Sequence, residues 1–262
     1  MRHRHLKRAI TNWLFLVTLG LIIFFVIFFI RQKASLPKKV LGNWALYPKC
    51  EIVRRFSFSE PDALKEWDEK IFKNKVIYKI EKENDLSYVR ASSDKSASAL
   101  YYKINLDARG KRPVMMWRWR VEKFPAKTRP ESLETENEDD FAARVYVIFP
   151  ALFITNSKVL EYVWSETIPV GTTGTSPYSK NIKLIVLEQG LSKEKRWFTE
   201  ERDIYSDYVK LFGNPPEHNV GAIAFMTNTE HTGTSAEAMY ADIETGYNQG
   251  AYNKGGGGKL EN

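Results

Sequence analysis

Residues 115–120 read MMWRWR, and their alternation decides the fold class. In an extended chain Met115, Trp117, Trp119 and Val121 share one face, while Met116, Arg118 and Arg120 share the other. This is the period of a half-buried β-strand. The two indoles, about 7 Å apart on that face, either pack in a core or form a platform that stacks a flat ligand such as a sugar ring. On the core reading the arginine face is simply the solvated side.

A second stretch, DDFAARVYVIF at 139–149, alternates in the same way. Phe141, Ala143, Val145, Val147 and Phe149 line one face, and Ala142, Arg144, Tyr146 and Ile148 the other. Arg144, among apolar neighbours and just after Asp139 and Asp140, is either a structural ion-pair partner or part of a site.

Outward from these two runs the pattern repeats, with strands expected near 76–80, 86–92, 98–104, 113–121, 141–149, 159–165, 182–188, 194–199, 220–227 and 236–243. Short strands at this spacing predict an all-β sandwich or jelly roll, and 262 residues suit one such domain. Two short helices are expected. One spans 62–72, DALKEWDEKIF, with Asp62 as cap. The other spans 203–212, DIYSDYVKLF, ending at Gly213 and covering an open end of the sandwich.

The net charge of +7 is misleading, because residues 1–40 hold eight basic residues and no acid. The rest of the chain sums to −1, which removes the electrostatic case for nucleic acid. From Ala9 to Ile30 there are 22 residues without a charge, reaching about 33 Å as a helix and so crossing a hydrocarbon core of about 30 Å. The run exceeds a cleavable signal's apolar region, and Arg31-Gln32-Lys33 follows it directly, which fits an uncleaved signal anchor. The basic residues on both sides, with His3, His5 and the amino terminus, favour a cytoplasmic N-terminus. The expected organisation is a cytoplasmic tail at 1–8, the anchor at 9–30, a linker at 31–49, the sandwich at 50–245 and a disordered Gly-rich tail at 246–262. In a bacterium this places the domain in the periplasm on a single-pass inner-membrane anchor. The lone Cys50 has no intrachain disulfide partner and no Cys or His beside it for a metal.

Chemical signatures are few. The loop at 125–140, PAKTRPESLETENEDD, is acidic but lacks EF-hand spacing. GTTGTS at 171–176 has the glycines of a phosphate cradle without its lysine or following helix. In TNTEHT at 227–232, Asn228, Glu230 and His231 either contact a ligand or ion or make a polar turn. No nucleophile elbow, zinc motif or kinase set is present, so no catalytic residue, metal or cofactor is assigned. Asp140 and Asp242 are the carboxylates that would act as acid and base if the chain hydrolysed glycans.

Taken in order, WRWRV, DDFAARVYVIF, YVWS, VLEQG, RDIYSDYVKLFGNPP and AIAFMTNTEHT…YADI resemble the bacterial family called domain of unknown function 3047, over about residues 50–245. The resemblance implies a galactose-binding-like β-sandwich, an architecture whose relatives commonly bind carbohydrate without catalysis, and it implies no established activity. The family pattern falls on Trp117, Trp119, Asp140, Arg144, Tyr146, Trp164, Trp197, Asp207, Tyr208, Gly213 and Asp242. Where the family tends to show Asp-Thr-Asp-Asn-Thr, this chain has Asn228-Thr229-Glu230-His231-Thr232, which weakens a shared metal site there.

The expected function is therefore a membrane-anchored, non-catalytic envelope module that binds a glycan or other envelope ligand. Asp140, Arg144 and Asp242 would give polar contacts, with stacking from Trp164, Trp117 or Trp119. The alternatives are an interaction subunit docking an envelope protein partner and a carboxylate-dependent glycan hydrolase.

Overall fold

A computed structural model of the chain describes residues 40–42, 44–47, 49–135, 139–192 and 194–250. The apolar segment 9–30 and the Gly-rich residues beyond 250 lie outside the described residues. Among those described, no helix is long and apolar enough to cross a membrane.

Strands form two seven-stranded sheets. The first holds β1 (Val40–Gly42), β2 (Cys50–Phe56), β4 (Ile77–Glu83), β5 (Leu86–Asp94), β7 (Pro113–Lys123), β12 (Phe198–Asp203) and β14 (Ser235–Asn248). Its hub is β14, which pairs antiparallel with β2 and β5 along one edge and with β7 along the other. The second sheet adds β3 (Asp68–Lys73), β6 (Ala97–Leu106), β8 (Ala143–Phe149), β9 (Lys158–Ser165), β10 (Thr173–Thr175), β11 (Ile182–Gln189) and β13 (Val220–Asn228), in the order β10-β11-β9-β8-β13-β6-β3. Only β9 and β11 run parallel in it, which is why the long connection 166–181 must carry the chain back.

The period-two patterns set the layers. Trp117 and Trp119 from β7 meet Tyr162 and Trp164 from β9 between the sheets, with ring centroids 5.2 to 5.6 Å apart. Ala143, Val145, Val147 and Phe149 enter the same core, which puts Arg144, Tyr146 and Ile148 on the outer face of the second sheet. The alternation of 139–149 breaks at Ala142, which joins the inner core while Phe141 packs outside with Leu133, Val163 and Val186. Each fully buried indole removes on the order of 200 Å² from water, a driving force of about 5 kcal/mol.

The helix expected at 203–212 forms as α1 (Ile204–Phe212). Asp203 caps it by accepting from the Ser206 N–H at 2.8 Å, and Gly213 closes it in the left-handed region at φ 78°. The helix expected at 62–72 does not form. Only Ala63–Glu66 make a 3-10 turn, Asp62 gives no side-chain cap, and Asp68–Lys73 extend along β6 as the edge strand β3. A segment this short gains little from helix propensity, so ladder hydrogen bonds to β6 decide its state.

The sandwich also passes both expected edges. β1 lies within the expected linker, and nearby Trp44 is buried, its indole N–H donating to Glu244 at 2.8 Å. At the other end β14 continues through Gly246, Tyr247 and Asn248 against β2.

Candidate functional site

Arg144 is 3% exposed on the outer face of the second sheet. Its guanidinium donates to Glu161 at 2.7 Å and pairs with Asp139 at 3.1 Å, while its carbon end lies 4.8 Å from the Phe141 ring. It also donates to the Asp139 carbonyl. Burial works against the Arg144 charge, and Asp139, Tyr146 and Glu161 more than offset it. Glu161 is pushed up to about 7, because burial outweighs the pull of Arg144. A side chain this enclosed, with its terminal nitrogens held by Asp139 and Glu161, acts as a structural strut, and the alternative posed by DDFAARVYVIF resolves toward the ion pair.

Next to the strut, Asp140 is fully buried where the chain enters β8. Its carboxylate accepts from the Asn228 amide at 2.8 Å and from the backbone N–H groups of His231 and Thr232 at 3.1 and 2.6 Å. Asp140 thus clamps the turn between β13 and β14, so TNTEHT is a polar turn closed by a carboxylate. Burial, with the nearby Asp140, pushes Glu230 up to about 8. Asp140, Glu230 and His231 each offer one ligand atom, all within 4.8 Å of one another. Among the described residues, they form a group of His, Asp and Glu side chains close enough to share one ion.

On the other side of the molecule, the outer face of the first sheet carries an open groove of about 550 Å³. Arg118 and Arg120 on β7, Asp242 on β14, the β4–β5 turn at Glu83–Leu86, and Lys195 and Trp197 before β12 line it. The half-buried Trp197 ring is held edge-on to Tyr88 at 5.3 Å, and the Arg120 and Arg118 guanidinium carbons lie 5.0 and 5.7 Å from its centroid. Arg118 pairs with Asp242 at 3.2 Å, Arg120 with Glu83 at 2.8 Å and Glu122 at 3.0 Å, and Lys195 with Glu122 at 3.0 Å. Asp242 takes φ 47° where the β7–β14 register shifts between Ala241 and Glu244, a conformation costly for a non-glycine residue. The bulge turns its carboxylate toward Arg118 on the groove side.

The family model described as protein of unknown function DUF3047 matches residues 65–244. The chain belongs to this family. No curated protein matches it. Among solved structures, this DUF3047 chain is similar to the family 11 carbohydrate-binding module of a cellulosomal cellulase of Clostridium thermocellum, 11% identical over 70% of this chain and 88% of that one, TM-score 0.37. It is similar also to a thermostable cellulase derived from Cel12A of Rhodothermus marinus, 10% identical over 70% and 96%, TM-score 0.42. A third is TmCBM61 in complex with β-1,4-galactotriose, 11% identical over 73% and 91%, TM-score 0.34. Scores this low bear on no ligand and no mechanism.

The structure separates the site residues expected from the DUF3047 sequence. Trp117 and Trp119 are 0% exposed and Trp164 is 1%, so none of the three can stack a ligand, and that expectation is corrected. Their inward direction follows from the strand period, and the Trp119 and Trp164 indole N–H groups are spent on Glu200 and the Gly190 carbonyl. Asp140 and Arg144 serve the second sheet, whereas Asp242 lies in the groove of the first. Asp140 and Asp242 therefore share no cleft, and the hydrolase reading loses its acid–base pair. What sequence reasoning missed is the Trp197 groove. The signal was present in MMWRWR: once the indoles point inward, Arg118 and Arg120 must share an outer face.

Proposed function

We propose that the chain is a membrane-anchored, non-catalytic binding module of the bacterial envelope. On this reading its galactose-binding-like sandwich holds a carbohydrate in the Trp197 groove, and the anchor at 9–30 keeps the domain on the periplasmic side. The carrying observation is the groove itself: an aromatic ring lying over the outer face of a sheet, ringed by hydrogen-bonding groups that are already oriented by one another. Sugar rings present an apolar C–H face and a polar rim, and such a site matches both. Arg118, Arg120 and Lys195 each have a carboxylate partner, which favours an uncharged glycan over an anionic polymer.

Affinity electrophoresis of the full chain in detergent micelles, against neutral and acidic envelope polysaccharides, tests the proposal. Retardation by a neutral glycan is expected, and no retardation across the panel counts against it. Protease protection in spheroplasts, with the domain cleaved from outside, checks the orientation.

A further inference from the structure

The turn between β13 and β14 carries chemistry that the groove does not use. Asp140 from the entrance to β8 and Glu230 and His231 from the turn bring two carboxylates and an imidazole together, with their ligand atoms within 4.8 Å of one another. A third loop joins them, since the Tyr178 hydroxyl lies 2.6 Å from His231 Nε2.

Among the described residues the carboxylates of this cluster have no lysine or arginine partner of their own, Lys73 donating to the Glu230 carbonyl at 3.0 Å instead. The Asn228 amide nitrogen has three oxygens around it, the Asp139 carbonyl at 3.0 Å, Asp140 at 2.8 Å and Glu230 at 2.9 Å. An amide has two hydrogens, so at least one of the three is left without a proton from it. Arg144, the guanidinium of this region, is committed to Asp139 and Glu161. Among the described residues neither Asp140 nor Glu230 forms an ion pair with lysine or arginine, and the ion-pair contact of Glu230 is His231 at 3.4 Å.

We infer that Asp140, Glu230 and His231 form a binding site for a divalent cation of the zinc class. One imidazole and two carboxylates make a mixed nitrogen–oxygen set that suits zinc better than calcium, whose sites are built from oxygen. Metal bonds of about 2.0–2.2 Å place neighbouring ligand atoms about 3–4 Å apart, so the spread seen here closes with small side-chain rotations. Glu230 and His231 can make them, each being 17% exposed. Asp140 would be the fixed ligand, because the His231 and Thr232 backbone N–H groups already orient it. The ion would tie the turn to the start of β8.

Thermal unfolding of the full chain in micelles, after chelation and then with zinc or calcium added, tests this. Zinc at about a hundredfold excess over its Kd is expected to raise the midpoint by about 5 °C or more. Glu230→Gln and His231→Ala should each weaken zinc binding at least tenfold by calorimetry while leaving the chelated midpoint near that of the parent. Trp197→Ala should bind zinc normally. The inference is overturned by no shift with zinc up to about 1 mM, by a shift that both variants keep, by one that requires His3 and His5 instead, or by a response to calcium alone.

Discussion

Replacing Arg144 by methionine removes the guanidinium but keeps most of the side-chain volume, so it isolates the charge of the strut. Glu161 and Asp139, 3% and 5% exposed, would then be buried without their cation. Each must be protonated or carry an uncompensated charge. Protonating a carboxyl of ordinary pKa near 4 costs about 5 kcal/mol at pH 8 and about 1 kcal/mol at pH 5. Glu161 already stands at about 7 in the parent, so part of its cost is present before the substitution. The expected loss is about 3–5 kcal/mol at pH 8, a large share of the roughly 5–15 kcal/mol that holds a domain together. It should shrink at pH 5, where protons replace the guanidinium. Urea denaturation of parent and variant at the two pH values measures both quantities, and adding Glu161→Gln to Arg144→Met should restore at least about 1 kcal/mol at pH 8. A loss below about 1 kcal/mol, or one equal at both pH values, would refute the assignment of Arg144 as a buried structural partner.

Two further stability outcomes follow from the same reasoning. Glu200, which accepts from the Trp119 indole at 3.1 Å, hydrogen-bonds with Glu188 and is pushed up to about 7 by burial and by that neighbour. Because its folded pKa lies above the unfolded one, its contribution is fully present below about pH 4.5 and is lost as pH rises through about 7. Glu200→Gln should therefore gain up to about 2–3 kcal/mol on the parent between pH 4.5 and 8, and unfolding free energies from denaturant titrations that change with pH identically in parent and variant would contradict this. Gly246→Ala should cost about 2 kcal/mol or more by calorimetry, because an added Cβ would meet Cys50 Sγ at 2.8 Å and the Glu51 carbonyl across the β2–β14 ladder. An unchanged midpoint would sink that packing argument.

The sandwich was legible because its central strands alternate cleanly. MMWRWR and ARVYVIF announced both sheets, and Asp203 with Gly213 marked the ends of α1. The edge strand β3 was not legible: it reads DEKIFK, without an apolar period, because an edge strand is set by its one neighbour and by solvent. β2, CEIVRRF, was missed too, because its consecutive arginines break the alternation although it lies between β1 and β14. The site was legible only in part. Arg144 and Asp140 stood out as polar residues in apolar runs, yet that contrast marks buried partners as readily as binding groups. Trp197 gave no such contrast, sitting among charged residues in LSKEKRWF, and only the fold brings it beside Arg118, Arg120 and Asp242. Asp242 was visible as a carboxylate, but the backbone shift that turns it into the groove depends on the β7–β14 register, which no local pattern encodes.

The most direct test of the groove is a calorimetric titration of a neutral envelope glycan into the full chain and its Trp197→Ala variant, with Trp119→Phe as a core control. A glycan seat at Trp197 predicts at least a tenfold loss of affinity, about 1.4 kcal/mol or more, in a Trp197→Ala variant that is still fully folded at the titration temperature. Trp119→Phe should lose stability and keep its affinity. Glycan binding that survives Trp197→Ala at full strength would rule out the Trp197 groove as the glycan site.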